Sequence, residues 1–284
     1  MRVSRKAIVL NPLFCYGFRV FMKENLEKIE KVAIHAAKEA GKILASFLGH
    51  IKDISEKKQA GLVTEADKKS EEKIISIIKK HFPGHAILAE ESGLHKESHA
   101  FKWIIDPLDG TTNYTHQIPF FCTSIGIEQA GKIVVGVIFD PIHEELYTVI
   151  KGKGAYKNGR KLSVSRTQKL GECLIATGFS YQRGKELEHS LSILKPFMEL
   201  TQGIRRCGSA VWDICQVAEG HFDGFWEKGL SPWDVAAGVL LLEEAGGKIS
   251  KYDGTSATVY DREIIASNGL IHQEMVQIIL GCKK

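Results

Sequence analysis

Residues 103–114 read WIIDPLDGTTNY and place two aspartates three residues apart, at the end of an apolar run and before Gly-Thr-Thr-Asn. The apolar residues 103–105 are typical of a buried strand end. Pro107 restricts the backbone between the two carboxylates, and Gly110 permits a bend that other residues resist. Both carboxylates and the Leu108 carbonyl can then face one point, and such hard oxygen ligands favour Mg²⁺ over Zn²⁺. The segment therefore predicts a magnesium-binding turn.

The composition is that of an ordinary globular protein. The 284 residues are 44% hydrophobic and 25% charged, which is enough for a large core, and the length favours one compact unit of two subdomains. The formal net charge of +4 comes from 38 basic and 34 acidic residues. These charges are spread along the chain without the clustered basic face of a nucleic-acid binder, so we predict no direct nucleic-acid binding.

Cysteine usage and hydropathy indicate the cellular environment of the protein. Six cysteines show no CxxC pair and no histidine at metal-binding spacing: Cys15, Cys122, Cys173, Cys207, Cys215 and Cys282. This pattern favours reduced, mostly buried thiols in a cytoplasmic protein. No run approaches the roughly 20 apolar residues of a membrane span, so we expect a soluble protein with no membrane association.

The first 21 residues differ from the rest of the chain. Basic residues precede a short apolar patch, but Asn11-Pro12 and Arg19 interrupt it, and no small-residue cleavage site follows. This argues against a signal peptide. Because an amphipathic helix begins directly after Met22, we hypothesise that residues 1–21 are a non-native N-terminal extension and that Met22 is the natural start.

Apolar periodicity predicts an α+β subdomain over residues 22–166. Helices are predicted over residues 24–47 and 65–82. Short apolar runs predict strands of one antiparallel sheet at residues 86–89, 102–105, 121–128, 133–139 and 145–150. Asn158-Gly159 accepts positive φ angles, so it predicts a type I′ hairpin turn.

The pattern changes to alternating strands and helices in a second, α/β subdomain over residues 167–284. Strands are predicted at 173–177, 204–206 and 222–227, with helices at 184–199 and 209–219 between them. A last pair of helices is predicted to follow. The first of these, residues 234–245, is apolar nearly all round and stops at Gly246-Gly247, which indicates a helix buried between layers. We expect the two subdomains to meet face to face.

Three further segments place acids at a turn or a helix start: TEAD at 64–67, EESG at 90–93 and SPWD at 231–234. Each also has a plainer interpretation. Thr64 and Asp67 have the spacing of a capping box, Glu90 and Glu91 are compatible with solvated loop acids, and Asp234 with a helix N-cap.

The DPLDGTTN segment has a competing interpretation as an aspartyl phosphatase of the haloacid dehalogenase type. The strand of those enzymes also ends in two aspartates followed by Gly-Thr, but their aspartates lie two residues apart. The three-residue spacing here changes which side chains share a face, so it favours a water nucleophile over a covalent aspartyl-phosphate.

Taken together and in order, five motifs resemble those of the inositol monophosphatases. They are LVTEAD (62–67), EES (90–92), WIIDPLDGTTN (103–113), GSA (208–210) and WDVAAG (233–238). The resemblance runs from about residue 22 to the C-terminus. It implies an α+β and α/β chain folded as the layered αβαβα sandwich of the inositol monophosphatase and fructose-1,6-bisphosphatase fold.

The resemblance also implies a set of metal ligands. Glu90, Asp106 and the Leu108 carbonyl are expected to hold a first Mg²⁺, and Asp106, Asp109 and Asp234 a second, so that Asp106 bridges. A third, weaker ion is expected beside Glu90. Such a cluster also makes independent physical sense, because carboxylates crowded into one cleft repel one another unless divalent cations neutralise them.

Further roles follow from the resemblance for the residues around these ligands. Thr111 and Asp67 are expected to orient the attacking water and accept its proton, with Glu90 as the third catalytic residue. The residues that begin a helix after the turn are expected to meet the phosphate with their amides; they are Gly110, Thr111 and Thr112.

Substrate hydroxyls are expected to contact Asp109, the backbone of Gly208, Ser209 and Ala210, and Glu227, which lies seven residues before Asp234. A surface acid at a strand end is the alternative for Glu227. Residues 178–181 match the family loosely. Gly61 departs from it, because many relatives carry Asp there, and Lys57 and Lys58 suit either a mobile loop over the site or a solvated charge run.

The function implied is Mg²⁺-dependent, Li⁺-sensitive hydrolysis of a small polyol or sugar phosphate monoester, with inositol 1-phosphate the expected substrate and a homodimer the expected assembly. Fructose 1,6-bisphosphate, histidinol phosphate and nucleotide 3′-phosphates stay open as alternatives, because the metal ligands recognise the phosphate and not the alcohol. A non-enzymatic role as partner of a bacterial transcription complex also stays open.

Overall fold

Seven helices and fifteen strands make up the part of the chain that the computed structural model describes, residues 12–51, 53–57, 61–95, 101–180 and 184–282. The helices are α1 (Pro12–Phe47), α2 (Glu65–His81), α3 (Thr111–Thr115), α4 (Lys185–Leu200), α5 (Ala210–Ala218), α6 (Pro232–Glu244) and α7 (His272–Gly281). The first ten strands are β1 (Ile54–Lys57), β2 (Gly61–Thr64), β3 (Ala86–Ala89), β4 (Gly93–His95), β5 (Phe101–Asp109), β6 (Cys122–Gln129), β7 (Lys132–Asp140), β8 (Glu145–Ile150), β9 (Ala155–Lys157) and β10 (Arg160–Lys161). The last five are β11 (Leu174–Thr177), β12 (Gly203–Arg205), β13 (Gly224–Lys228), β14 (Lys248–Ser250) and β15 (Glu263–Ser267).

Helices α1 and α2 form the first layer. Apolar residues recur every three or four positions, so each helix buries one face; Ile29, Ala36 and Ala40 of α1 pack with Ile74 and Ile78 of α2 in one core cluster over the larger sheet. The sequence predicted that α1 begins at residue 24. In the structure the helix already begins at Pro12, within the stretch that we had assigned to the extension.

The second layer is an eight-stranded sheet in the order β10-β9-β8-β7-β6-β5-β3-β4. It is antiparallel except between β3 and β5, where Ala89 pairs in parallel with Ile105, so the prediction of a wholly antiparallel sheet was wrong there. In the sequence, β4 lies between β3 and β5, but in the sheet it pairs with the outer edge of β3. Strand β5 therefore runs in the same direction as β3 on its other side. The carboxyl ends of β3 and β5 therefore lie side by side. The predicted hairpin is confirmed, since Asn158 and Gly159 have φ angles of 48° and 78° between β9 and β10.

Helices α5 and α6 form the third layer, between the two sheets. Helix α6 has fully buried Ala236 and Ala237, and it crosses β6 and β7 where these strands carry Gly126 and Gly136. A Cβ on Gly126 would lie 2.6 Å from the Ala236 Cβ, so only glycine permits this approach. The buried helix predicted from the sequence is confirmed, and it ends before Gly246, whose φ is 93°.

The fourth layer is a five-stranded sheet in the order β12-β11-β13-β15-β14, and α4 and α7 cover its outer face. The sequence had predicted only helices after residue 234. Strands β14 and β15 lie between α6 and α7, and with three and five residues they are too short for a clear alternating pattern. The five layers confirm the αβαβα sandwich. No helix of the described residues is long and apolar enough to cross a membrane.

Candidate active site

A β-bulge brings the two aspartates of the DPLD turn into one cleft. Asp106 pairs with Ser124 of β6 and Asp109 with Cys122, so three steps on β5 match two on β6. Residues three apart on a regular strand would point to opposite faces, and the extra residue restores a common face. Both aspartates line a cleft of about 530 Å³.

The chain leaves the bulge through Gly110. Its φ is 96°, and a Cβ there would lie 2.8 Å from the Phe120 carbonyl oxygen, so the position requires glycine. Helix α3 begins at the next residue, as predicted. Asn113 on this helix donates from Nδ2 to the carbonyls of Phe120 and Cys207, at 2.7 Å each. The bond to Cys207 connects the turn to the segment just before Gly208.

Asp67 makes the capping contact with Thr64 and also contacts Thr111. Its Oδ2 accepts from the Thr64 amide at 2.8 Å and from the Thr64 hydroxyl at 2.5 Å, which confirms the capping box at the start of α2. Its Oδ1 lies 3.2 Å from the Thr111 hydroxyl oxygen, which is also 3.1 Å from the Leu108 carbonyl oxygen. Thr111 lines the cleft, and Asp67 lies fully buried behind it.

Glu90 follows β3 and lies beside Asp106. Its amide donates to the Ile105 carbonyl at 3.2 Å, so the parallel pairing of β3 with β5 extends to the residue itself. Glu90 lines the cleft and hydrogen-bonds to the Asp106 side chain. The interpretation of Glu90 as a solvated loop acid is therefore wrong.

Asp234 enters the cleft from the other half of the chain, on the first turn of α6. Ser231 is the N-cap, and its amide donates to Asp234 Oδ2 at 2.8 Å. Asp234 is therefore not the N-cap of α6, as the plainer interpretation had it. The N-cap is Ser231, three residues earlier, and Asp234 is its capping-box partner. This bond fixes the direction in which the carboxylate enters the cleft.

The start of α5 holds Asp109. The Ser209 hydroxyl and the Val211 amide donate to Asp109 Oδ2 at 2.7 and 2.8 Å. Gly208, Ser209 and Ala210 all line the cleft, as predicted for the substrate-binding segment. Ser209 therefore orients the carboxylate, and any contact of this segment with a substrate lies next to Asp109.

Burial and mutual repulsion raise the pKa values of the clustered acids. The pKa of Asp106 lies well above its ordinary value because the side chain is buried and faces the charges of Glu90, Asp109 and Asp234. Burial raises the pKa of Asp109 to about 6 against the opposing hydrogen bonds from α5, and it raises that of Asp234 strongly. Such a group of acids is stabilised either by protons or by a cation.

The donor set suits a hard divalent cation. Four carboxylates and the Leu108 carbonyl supply oxygen only, which is the preference of Mg²⁺. Among the residues described here, no three acidic, imidazole or thiol side chains are already spaced to hold an ion. A bound cation would relieve the mutual repulsion of the carboxylates that crowd this cleft.

A second wall of the cleft, formed by residues outside the DPLD turn, carries Glu227. It lines the cleft beside Gly178, where a Cβ would lie 2.0 Å from the Glu227 carboxylate, so the surface-acid alternative is wrong. Burial, followed by the charge of Asp213, raises the pKa of Glu227 to about 8. Phe179 and Ser180 line the same wall, whereas Tyr181 lies outside the described residues.

Six cleft residues were missed from the sequence: Arg206, Asp213, Gly229, Leu230, Tyr260 and Arg262. Asp213 is 1% exposed, and its Oδ1 has no hydrogen-bond partner among the described residues. Its position four residues after Ser209 on α5 could have predicted it, because such residues share a helix face. Tyr260 and Arg262 lie in the loop before β15, where no local pattern points to the cleft.

The segment before TEAD gives little further information on the site. Gly61 and Lys57 pair in the β1–β2 hairpin, and Leu62 lines the cleft. Lys58 lies outside the described residues.

A family model for the inositol monophosphatase family matches residues 25–282. The chain belongs to the inositol monophosphatase family. It is 44% identical over 262 residues to "Inositol-1-monophosphatase" of Synechocystis sp., covering 92% of this chain and 91% of the relative. It is 38% identical over 250 residues to "Nus factor SuhB" of Pseudomonas aeruginosa, covering 86% and 92%.

The solved structures agree with this assignment. The extragenic suppressor protein suhB from Bartonella henselae is similar with a TM-score of 0.85 at 39% identity, covering 89% of this chain and 98% of that one. The inositol monophosphatase family is a phosphatase family, so the predicted enzyme class and fold are confirmed.

Proposed function

We propose that this member of the inositol monophosphatase family hydrolyses a small polyol or sugar phosphate monoester with Mg²⁺, and that its substrate is inositol 1-phosphate. The bulged DPLD turn carries the proposal. It places Asp106 and Asp109 in one cleft with Glu90 and Asp234, an all-oxygen group in which burial and repulsion raise the pKa values of the three aspartates, so that a bound cation would stabilise them.

Glu90, Asp106 and the Leu108 carbonyl would hold one Mg²⁺, and Asp106, Asp109 and Asp234 a second; a third, weaker ion would associate with Glu90. When bound, the ions neutralise the acids and the phosphate and increase the acidity of water. Phosphatases of this family generally depend on Mg²⁺.

Thr111 and Asp67 position the attacking water in this proposal. The Thr111 hydroxyl faces the cleft and can donate to Asp67 Oδ1 at 3.2 Å, so a proton taken up by Thr111 can pass to Asp67. The capping box fixes the other oxygen of Asp67, which leaves Oδ1 directed at Thr111. Gly110 and Thr111 line the same cleft, and we propose that their amides and that of Thr112, which is not among the lining residues, meet the phosphate oxygens.

The alcohol would lie against the second wall. Glu227 and Asp213 are carboxyl groups at the cleft, so they suit a polyhydroxyl alcohol better than a second phosphate at this depth. Arg206 and Arg262 line the same cleft and are exposed, and the charge of Arg206 acts to lower the pKa values of Asp213 and Glu227 against the effect of burial. This arrangement favours inositol 1-phosphate over fructose 1,6-bisphosphate and nucleotide 3′-phosphates, while histidinol phosphate, with a cationic alcohol, is the alternative that the acids also permit.

A phosphate-release panel tests the proposal. It compares inositol 1-phosphate, fructose 1,6-bisphosphate, histidinol phosphate and adenosine 3′,5′-bisphosphate, each with Mg²⁺, with EDTA and with added Li⁺. We expect release with Mg²⁺ only, inhibition by Li⁺, and the highest kcat/KM for inositol 1-phosphate. A purified protein that hydrolyses none of the four with Mg²⁺ would remove the enzymatic proposal.

A second candidate function is association with a bacterial transcription complex, which the similarity to "Nus factor SuhB" favours. Affinity purification of the tagged protein from its native cells would recover RNA polymerase subunits if this function holds. The two functions are compatible on one fold, because association uses a surface and hydrolysis uses the cleft.

We also propose a homodimer. Ile118 and Phe120 are 42% and 36% exposed on neighbouring positions, and the Phe120 ring lies 5.0 Å from that of Trp212. An apolar group of this kind suits an interface. Light scattering at several protein concentrations would give the mass of a dimer, and a constant monomer mass would contradict it.

A further inference from the structure

A buried acid outside the cleft contacts the turn that carries Glu90. Glu71 of α2 is only 3% exposed, and both of its carboxylate oxygens accept backbone hydrogen bonds. Oε2 accepts from the Glu91 amide at 2.8 Å and Oε1 from the Ser92 amide at 2.9 Å. Glu71 belongs to none of the motifs of the site, and it does not line the cleft.

These two bonds fix the orientation of the turn after β3. A carboxylate that accepts two successive amides forms charge-assisted bonds and holds both peptide planes at once. On the other side of the same turn, the Glu90 amide donates to the Ile105 carbonyl of β5 at 3.2 Å. The backbone of Glu90 is therefore held between β5, which also carries Asp106, and α2.

Helix α2 extends this arrangement to the Thr111 side of the cleft. Asp67 and Glu71 lie four residues apart, so they project from one face of the helix. The first contacts Thr111 and the second contacts the Glu90 turn. One helix with a capped start thus sets the spacing between two parts of the site that lie far apart in sequence.

We propose that Glu71 is a positioning residue that preorganises Glu90 for binding the divalent cation. The inference rests on the proposed function, because it assigns Glu90 as a metal ligand. Residues that orient a ligand from behind typically change metal affinity or activity about 10- to 100-fold when they are replaced. A turn that is already held in place loses less conformational freedom when the ion binds, so the affinity for Mg²⁺ depends on Glu71.

Glu71→Gln is the test variant. Glutamine has nearly the same shape but only one acceptor oxygen, and its NH₂ group would face one of the two amides. Glu72→Gln is the matched control, because Glu72 is the next residue of the same helix and is exposed. Both variants remove one carboxylate from the same turn of α2, so a general electrostatic effect would appear in both.

Mg²⁺ titration by calorimetry, together with thermal unfolding in EDTA, separates positioning from a purely structural role. We expect the Kd for Mg²⁺ to rise about 10- to 100-fold in Glu71→Gln. At saturating Mg²⁺ the kcat should recover towards the wild-type value, and Glu72→Gln should match the wild type throughout. A folded Glu71→Gln protein with a wild-type Kd, even if its Tm in EDTA falls, would overturn the proposal.

Amide hydrogen exchange on the wild-type protein keeps the inference testable if the variant does not fold. In EDTA, we expect the amides of Glu91 and Ser92 to exchange slowly, because Glu71 holds them before any ion binds. Fast exchange that becomes slow only with Mg²⁺ would overturn the proposal. A wild-type protein that binds no Mg²⁺ and releases no phosphate would instead contradict the proposed function, and the exchange of these amides would still report on the contact.

Discussion

The two walls of the cleft are built in different ways. On one wall Glu90, Asp106 and Asp109 follow two adjacent strand ends and a bulge, and backbone pairing between β3, β5 and β6 sets their places. On the other wall Asp213 and Glu227 come from a helix and a separate strand. Backbone pairing between neighbouring strands sets the positions of the acids on the first wall. On the second wall the side chains can be substituted without moving a strand. We infer that the first wall sets the reaction and the second selects the alcohol.

The largest effect is expected on the strand-end wall. Asp106→Asn should lower kcat by at least ~10³, because the residue is the proposed bridge between two ions and an amide oxygen cannot replace a shared carboxylate. Asparagine has nearly the same volume, so the fold should persist. Phosphate release at saturating Mg²⁺ measures the loss, and circular dichroism checks the fold. Near wild-type turnover in a folded variant would contradict the bridging role.

A smaller loss, confined to binding, is expected on the second wall. In Gly178→Ala the new Cβ would lie 2.0 Å from the Glu227 carboxylate and would displace it. We expect KM to rise about tenfold while kcat changes much less, since the loss falls on contacts to the alcohol. Gly171→Ala is the control, because a Cβ there meets only one backbone oxygen, at 3.8 Å. Equal effects of the two substitutions would refute the role of this wall.

The same contrast explains what the sequence could predict. The DPLD turn, the capped start of α2 and the buried α6 are each encoded within a dozen residues, so spacing and periodicity were sufficient for them. The family resemblance predicted that acids far apart in the sequence lie together in one site. Tyr260 and Arg262 join the cleft only through packing, and local patterns carry no signal for that. Strands β14 and β15 were missed because short strands are stabilised by their neighbours more than by their own sequence.

Charge on the second wall should affect discrimination more than rate. Beside Glu227, Asp213→Asn replaces an ionisable carboxyl, whose pKa burial raises well above its ordinary value, by an uncharged amide of the same shape. At a pH high enough to ionise Asp213 in the wild type, we expect the preference for inositol 1-phosphate over fructose 1,6-bisphosphate, as a ratio of kcat/KM values, to fall about threefold, because repulsion of the second phosphate weakens. Glu199→Gln is a suitable control, since its side chain is 64% exposed on α4. An unchanged or increased ratio would show that Asp213 does not contribute to selection.

The smallest effect on activity is expected at a buried histidine that belongs to neither wall. His272 begins α7 and lies between the hydroxyls of Ser267 and Ser250, at 2.8 and 2.9 Å. Burial, with a smaller contribution from the charge of Lys248, lowers its pKa to about 4. The folded state therefore keeps His272 neutral at pH values where the unfolded chain, with a pKa near 6.5, already binds a proton.

This difference in proton binding sets the sign of the pH dependence. The stability that neutral His272 contributes is fully present above about pH 6.5, and it is lost as the pH falls towards 4. In EDTA, the Tm of the wild type should therefore fall more steeply between pH 7 and 4.5 than that of His272→Gln, which has no proton to gain. At pH 7.5 the two proteins should share one kcat/KM, because His272 does not line the cleft. A large loss of activity in a folded His272→Gln protein would mean that the outer helix layer also shapes the cleft. The two walls alone would then not account for both the reaction and the choice of alcohol.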